Sequence, residues 1–208
     1  MPCASATRPP APSHEKFSAY QSGREFDDAL FEQLDLLPEF VAACGFQNAK
    51  APGFEADDFL AAAAAAEEKR GGTVLVASGY RDTFQLVSDH TTILYPIRAG
   101  EMVRIGPAEV RARYGVDPAQ VPDFIALRGD PSDKVPGAPG VGATGAATLL
   151  QRYGCLEAAL EAGRFPAMAE RLRLFRSLAT MNRRLRCQAF GGKNQRGTKQ
   201  PHSLESGS

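Results

Sequence analysis

The chain has 208 residues and a mass of 22.3 kDa, enough for one medium domain or a domain with a small satellite. Its hydrophobic share of 43% and charged share of 23% are those of a folded protein and exclude disorder along the whole chain. No apolar run reaches the roughly 18 residues that span a bilayer, and residues 1–12 lack the apolar core of a signal peptide, so we expect a cytoplasmic protein. The four cysteines form no CxxC pair, which argues against a zinc knuckle or a disulfide framework.

The charge is balanced overall but unevenly distributed. The 24 basic and 24 acidic residues cancel, which argues against a uniformly basic nucleic-acid-binding surface. Between residues 164 and 199, however, there are ten Lys or Arg residues and one acid, whereas acids concentrate between residues 25 and 133. This asymmetry suits a metal-dependent enzyme that acts on a polyanion. It equally suits a solvated helix followed by a basic tail.

The predicted elements of the first half alternate between helix and strand. Residues 1–19 are predicted to be an irregular leader, since Pro9, Pro10 and Pro12 disfavour a helix there. The elements that follow are helices over 27–44 (with a kink or break at Pro38), 56–70 and 82–88, and strands over 73–77, 92–95 and 102–105. Because the run over 73–77 is continuously apolar, it predicts a buried parallel strand. The pattern is that of an α/β fold.

Beyond residue 107 the pattern becomes helical. Short helices are predicted near 107–114, 118–127, 144–153, 156–162 and 168–180. A segment rich in glycine and proline, residues 129–142, interrupts them. After Asn182 the apolar periodicity stops, and the basic tail over 183–208 is predicted to be disordered.

Three acidic clusters carry the functional signal. They lie at a loop-to-helix junction (Glu55, Asp57 and Asp58), directly after the predicted buried strand (Asp82), and in the Gly/Pro segment (Asp130 and Asp133). Each cluster alone is also explained by helix capping or by the helix dipole. Together, without a nearby His or Cys, these oxygen ligands favour Mg²⁺ or Mn²⁺ and phosphoryl-transfer chemistry.

A glycine-rich turn over residues 136–145 leads into a predicted helix. Glycines in front of a helix let backbone N–H groups face a phosphate. The turn lacks the Gly-Lys-Ser/Thr of a Walker A loop. A helix-hairpin-helix that binds a nucleic-acid backbone without reading bases fits better, and a plain connector remains the alternative.

Three segments resemble the structure-specific 5′-nuclease family, which comprises bacterial 5′→3′ exonucleases, the N-terminal domain of bacterial DNA polymerase I and flap endonucleases. They are GFEADD (53–58), SGYRDTFQLVSD (78–89) and LRGDPSDKVPGAPGVG (127–142). The resemblance runs from about Tyr20 to Asn182. It implies a PIN-like α/β sheet flanked by helices over 20–106, with a remnant of the helical arch. It also implies a helical DNA-binding subdomain of the helix-hairpin-helix (H3TH) type over 107–182.

The resemblance also implies roles for individual residues. The metal ligands would be Glu55, Asp57, Asp58, Asp82, Asp130 and Asp133, holding two Mg²⁺ or Mn²⁺ ions. Arg24, Asp58 and Asp82 would take part directly in phosphodiester hydrolysis. The residues that contact DNA, independently of its sequence, would be Tyr20, Arg24, Gly137, Gly140, Val141, Gly142 and Thr144. A K⁺ ion beside the hairpin and a DNA polymerase partner are further implications, and no membrane partner is expected.

The sequence departs from the family pattern at several positions. Tyr80 stands where the family has an aspartate metal ligand, Gln21 replaces an arch lysine, and Lys134 replaces an asparagine. We also expect the sheet to lack the N-terminal strands, since nothing before Tyr20 resembles a buried strand ending in Asp. Three hypotheses follow: a 5′→3′ exonuclease or 5′-flap endonuclease, a catalytically inactive DNA-binding member of the family, and a non-functional gene fragment.

Overall fold

A computed structural model describes residues 27–51 and 53–185 of the chain. In chain order, its α-helices and strands are α1 (Asp28–Ala43), α2 (Ala56–Lys69), β1 (Val74–Ala77), β2 (Thr91–Arg98), β3 (Glu101–Ile105), α3 (Pro107–Tyr114), α4 (Val121–Arg128), α5 (Ala143–Tyr153), α6 (Leu156–Glu161) and α7 (Ala169–Ala179). Three 3₁₀ helices lie between them: Arg81–Leu86, Pro118–Gln120 and Pro166–Met168. The predicted change from an α/β half to a helical half is confirmed.

The sheet has three strands in the order β1-β2-β3. β1 runs parallel to β2, with Val74 opposite Thr91, and β2 runs antiparallel to β3. The predicted strands over 92–95 and 102–105 are confirmed, and a turn at Ala99-Gly100 joins them. The predicted parallel pairing of β1 is confirmed, but the prediction that the strand is buried is wrong, since only Val76 of its four residues is buried and Leu75 is 55% exposed. The reason is that, among the described residues, β1 pairs only with β2. The carboxyl end of β1 leads directly into the segment that carries Asp82.

Two predicted helices differ in detail from the structure. The segment expected as a helix over 82–88 is the 3₁₀ helix Arg81–Leu86. Its residues Thr83 to Leu86 are all buried, whereas an amphipathic α-helix would expose one face to solvent. Pro38 lies inside α1 without ending it, and no residue of α1 is buried.

Helix α4 joins the two hydrophobic cores of the molecule. Val121 and Ile125 pack with the core of the sheet, which includes Phe84. Phe124 and Leu127 pack with the core of the helical half. Because every residue from Val121 to Leu127 is buried, α4 fixes the helical half against the sheet. None of the helices in the described part of the chain has the length and apolarity to cross a membrane.

Gln85 connects the sheet half to the end of α7 through its side-chain amide. The side chain is buried, with the residue 5% exposed. Its Nε2 donates to the main-chain oxygens of Asp82 at 2.9 Å and Ala179 at 2.8 Å. Its Oε1 accepts the N–H of Met181 at 3.0 Å. The amide therefore ties the 3₁₀ helix that carries Asp82 to the segment after α7.

We expect Gln85→Leu to lower the free energy of unfolding by about 3 kcal/mol, because it leaves several buried backbone groups without partners. Urea denaturation measures this change. Gln151→Leu is the matched control, since Gln151 makes one exposed bond, from Nε2 to the oxygen of Gly115 at 2.8 Å. A loss at Gln85 no larger than at Gln151 would contradict the connecting role.

Candidate metal centre

Three carboxylates from distant parts of the sequence meet at one point. One oxygen each of Asp82, Asp130 and Asp133 lies within 4.8 Å of the others. Asp82 stands in the first turn of the 3₁₀ helix that follows β1. Asp130 and Asp133 lie in the loop after α4. The fold therefore brings together two of the three predicted acidic clusters.

The loop over residues 129–137 is held closed by its backbone. Asp130 and Val135 exchange two N–H···O bonds, each of 2.8 Å. Gly129 and Gly137 both have positive φ, and a Cβ on Gly137 would lie 2.5 Å from the nitrogen of Gly129. Ser132 donates its N–H and its hydroxyl to Oδ1 of Asp130, at 2.8 and 2.6 Å. Glycine at both positions lets the two ends of the loop touch, which fixes where Asp130 points.

The third predicted cluster reaches this centre through Asp57 on α2. Burial, followed by the charges of Glu55, Asp58 and Asp133, raises the pKa of Asp57 to about 6. Burial, followed by the charges of Asp130, Asp133 and Asp57, raises the pKa of Asp82 to about 7, which Arg128 partly opposes. Burial and the neighbouring negative charges thus both disfavour the ionised forms of Asp57 and Asp82.

Asp58 is engaged differently from the other predicted ligands. Its Oδ2 accepts the N–H of Glu55 at 3.2 Å, as part of the capping box at the start of α2. Its Oδ1 accepts the N–H of Asn182 at 2.8 Å. Both oxygens thus hold backbone, which is the capping alternative that the sequence left open. A metal-binding or catalytic role of Asp58 stays a prediction.

A cleft of about 710 Å³ opens beside the carboxylates. It is lined by residues from Gly79 to Asp82 and from Arg128 to Ser132. Tyr80 is 50% exposed there. Two arginines of the cleft, Arg81 and Arg128, were not predicted as site residues, although both stand inside the segments that carry the family resemblance. They place positive charge beside the acidic centre, where a phosphate would need it.

The cleft arginines are held in place by neighbouring side chains. Arg81 donates from Nε to the hydroxyl of Tyr95 at 3.3 Å, and this bond is the main reason that its pKa is raised. Arg128 stacks over the ring of Phe124 at 5.3 Å and lies 3.8 Å from Asp130. Both guanidinium groups are therefore held at the wall of the cleft.

We expect the metal-free protein to lose stability as the pH rises from about 4 to 7. Between the ordinary pKa of 3.8 and the folded value of about 7, the folded chain holds a proton on Asp82 that the unfolded chain has lost. Stability that depends on that proton is therefore lost as the pH rises through the folded pKa. In EDTA, the melting temperature should fall by about 5 °C across this range.

Asp82→Asn should remove most of this pH dependence, whereas Asp89→Asn, at an exposed position outside the cleft, should leave it unchanged. Thermal unfolding at several pH values makes the comparison. An equally steep fall in the Asp82→Asn variant would show that another group is responsible.

The predicted hairpin lies between the acidic loop and α5. Gly142 is the N-cap of α5, and the N–H of Val141 donates to the oxygen of Ala138 at 3.1 Å. Gly140 has a φ of +74° and no neighbouring atom within 4 Å of the position of a Cβ. Gly140, Gly142 and Thr144 are exposed. Gly137, by contrast, is buried against the backbone of Gly129. Tyr20 and Arg24 lie outside the described residues, so their predicted roles stay predictions.

Two models of the same protein family match successive parts of the chain. The family model described as 5′-3′ exonuclease, N-terminal resolvase-like domain, matches residues 3–115. The model described as 5′-3′ exonuclease, C-terminal SAM fold, matches residues 116–189.

The curated relatives are DNA polymerases. DNA polymerase I of Mycobacterium bovis is 43% identical over 149 residues, which are 71% of this chain and 16% of the relative. DNA polymerase I of Deinococcus radiodurans is 40% identical over 150 residues, which are 72% of this chain and 15% of the relative. The chain therefore matches less than a fifth of the length of these relatives.

Solved structures share the fold. A zinc-bound T5 5′-exonuclease superposes with a TM-score of 0.66 at 18% identity, covering 82% of this chain and 70% of that one. A T5 D15 flap endonuclease, in a pseudo-enzyme–product complex with DNA and metal ions, superposes with a TM-score of 0.63 at 18% identity, covering 82% and 69%. The fold predicted from the three motifs is confirmed. The chain belongs to the 5′-3′ exonuclease family.

Proposed function

We propose that this chain acts on DNA as a 5′→3′ exonuclease or 5′-flap endonuclease that hydrolyses phosphodiester bonds with divalent metal ions. The observation that carries the proposal is the meeting of Asp82, Asp130 and Asp133 within 4.8 Å at the edge of a cleft with two arginines. Membership of the family and the names of the relatives support it.

The residues of the centre fit Mg²⁺ or Mn²⁺. All the donors are carboxylate oxygens, which these hard cations prefer. The raised pKa values of Asp82 and Asp57 come first from burial and then from the neighbouring carboxylates, so a cation bound there would stabilise their ionised forms. Asp82, Asp130 and Asp133 would hold an ion, and Asp57 would add charge from α2. When bound, such ions polarise a phosphate and lower the pKa of a coordinated water.

The chain's own groups prepare the cleft for a phosphodiester. Arg81 and Arg128 attract the phosphate and lie where negative charge would develop during hydrolysis. The rigid loop over 129–137 keeps Asp130 and Asp133 at fixed positions. Asp58 and Glu55 hold the start of α2 and so position Asp57. Arg24 is the further cation that we propose from the family pattern.

The helical half, residues 107–182, is proposed to bind the duplex backbone. The exposed Gly140, Gly142 and Thr144, with the half-buried Val141 among them, leave the backbone N–H groups at the start of α5 open to a phosphate. A K⁺ ion at this hairpin and a DNA polymerase partner belong to the same proposal, the latter because the relatives are polymerases.

Substituting valine at Gly140 and Gly142 together should weaken binding to every duplex by about tenfold, whatever its sequence, since backbone contacts carry no base information. Fluorescence anisotropy with three unrelated duplexes measures it. Gly163→Val is the control, because Gly163 also has a positive φ of +80° and open space around it. A loss confined to one sequence would refute backbone recognition.

A catalytically inactive DNA-binding member of the family is the second candidate, and Tyr80 favours it. The phenol lines the cleft at the place where the family has an aspartate. A phenol is a poorer ligand for Mg²⁺ than a carboxylate, because this hard cation prefers charged carboxylate oxygens. The cleft therefore has one negative charge fewer than the family pattern.

Cleavage of a 5′-flap DNA in Mn²⁺ tests the proposal. Slow release of the flap by the wild-type chain, abolished in Asp133→Asn, is the expected result. Binding of the flap DNA without cleavage would favour the second candidate. Cleavage at the same rate in both proteins would show that the acidic centre is not the active site.

A further inference from the structure

A second cavity, of about 510 Å³, lies apart from the acidic cleft, and the two have no lining residue in common among those that the structure describes. Its wall includes Gln85, Asn182, Arg176, Arg183 and Arg184, and we call it the arginine cavity. It is formed where the segment after α7 crosses the end of the 3₁₀ helix Arg81–Leu86 and the start of α4. The metal chemistry proposed above makes no use of it.

The arginine cavity carries an excess of positive charge. Three arginines line it, and within the described part of the chain no Asp or Glu does. One of them, Arg176, is paired with the buried Asp123, with Nε 2.6 Å from Oδ1. Arg183 donates from Nη2 to the main-chain oxygen of Gln85 at 2.5 Å, and its charge helps to lower the pKa of Glu68. Within the described residues, neither Arg183 nor Arg184 makes an ion pair with a carboxylate. Both guanidinium groups can therefore bind a ligand.

The arginine cavity is built from the same connections that hold the acidic centre. Asn182, in its wall, donates its N–H to Asp58, the residue next to Asp57. Gln85, also in its wall, donates to the main-chain oxygen of Asp82. Because the wall and the carboxylates share these hydrogen bonds, their relative position is fixed. A polyanion that enters the acidic cleft has a rigidly placed cationic pocket nearby.

We propose that the arginine cavity binds a backbone phosphate of the DNA strand that occupies the acidic cleft. This inference rests on the proposed function. Guanidinium groups bind phosphate oxygens through paired N–H donors, and Arg183 and Arg184 supply them at adjacent positions. The site would take any base, since contacts to backbone phosphates carry no sequence information. It would hold the strand in place independently of the hairpin.

The experiment measures binding of a single-stranded oligonucleotide and of a 5′-flap DNA in EDTA, at several salt concentrations. Arg184→Gln removes an exposed guanidinium, and Arg183→Gln/Arg184→Gln removes both free charges. Arg104→Gln, at an exposed arginine on β3, is the matched control for the loss of one charge. Thermal unfolding verifies that each variant is folded, and Arg184→Gln serves alone if the double variant is destabilised.

We expect Arg184→Gln to lower the affinity about threefold and the double variant about tenfold. The slope of log K against log salt should fall by about 1 for each phosphate that the variant no longer binds. Arg104→Gln should change neither quantity. Unchanged affinity and slope in Arg184→Gln would overturn the proposal. So would a site for a small anion only, in which inorganic phosphate stabilises the wild type and not Arg184→Gln while DNA binding stays the same in both.

Because EDTA removes metal ions, this result does not depend on cleavage. An inactive acidic centre would leave the salt slopes as predicted, and the arginine cavity would stand while the nuclease proposal fails. An active nuclease with unchanged slopes would overturn the arginine cavity alone.

Discussion

Mn²⁺ is expected to stabilise the wild-type chain and to leave Asp133→Asn unaffected. A ligand that binds only the folded state raises the free energy of unfolding by about 2.7 kcal/mol when its concentration is one hundred times its Kd. Asp133 is 5% exposed and faces Asp82 and Asp130, so its amide variant removes one of three convergent charges without opening space. We expect its affinity for Mn²⁺ to fall by about 100-fold.

The measurement is thermal unfolding over a range of Mn²⁺ concentrations, compared with EDTA for each protein. The two proteins are compared by the rise in melting temperature that Mn²⁺ causes in each. The melting temperatures themselves are not compared, because Asp133→Asn also relieves repulsion and is expected to be more stable in EDTA. Asp89→Asn should retain the wild-type increment, since Asp89 is exposed and lies outside the cleft. An equal rise in melting temperature in the wild type and in Asp133→Asn would show that the acidic centre is not the metal site.

Tyr80→Asp is expected to raise Mn²⁺ affinity and to accelerate Mn²⁺-dependent cleavage of a 5′-flap by at least about tenfold, equivalent to roughly 1.4 kcal/mol of barrier. The side chain is half-exposed in the cleft, so an aspartate there costs little burial. It restores a negative charge where the family pattern has one. The increase in the cleavage rate measures how far the residue at position 80 limits cleavage by this chain.

Two further variants separate charge from size at this position. Tyr80→Asn removes the bulk of the ring without adding charge, and Tyr80→Phe removes only the hydroxyl. Both should cleave as slowly as the wild type if the missing charge is the cause. Faster cleavage by Tyr80→Asn, equal to that of Tyr80→Asp, would show that the ring blocks the cleft. No gain in any variant would show that the position is not limiting.

Local signals predicted most of the fold. The alanine-rich stretch with acids at its start and bases at its end predicted α2, and the apolar run over 73–77 predicted β1. The 3₁₀ helix Arg81–Leu86 was predicted as an ordinary helix because burial on all sides is set by packing against α2, β2 and α4. No local pattern in the sequence contains that information. The junction of the two cores through α4 was not predicted either, because it too depends on packing between elements.

The convergence of acidic residues at the candidate site was predictable from the sequence, but the surroundings of these residues were not. The carboxylates stand in recognisable motifs, whereas Asp58 caps α2 and binds Asn182, a contact across 124 residues. Arg81 and Arg128 belong to the same motifs, and only the cleft shows that they share a wall with Asp82. The arginine cavity brings together residues around 85, 120 and 180, and nothing in their spacing indicates that they meet.

The most direct test of the acidic centre is an anomalous difference map from crystals of the wild-type chain soaked in Mn²⁺. We predict a peak at about 2.1–2.3 Å from carboxylate oxygens of Asp82, Asp130 and Asp133, the distance at which such small divalent cations bind oxygen. A crystal of Asp133→Asn under the same conditions should lack it. Crystals with Mn²⁺ bound elsewhere and none between these three carboxylates would contradict the account.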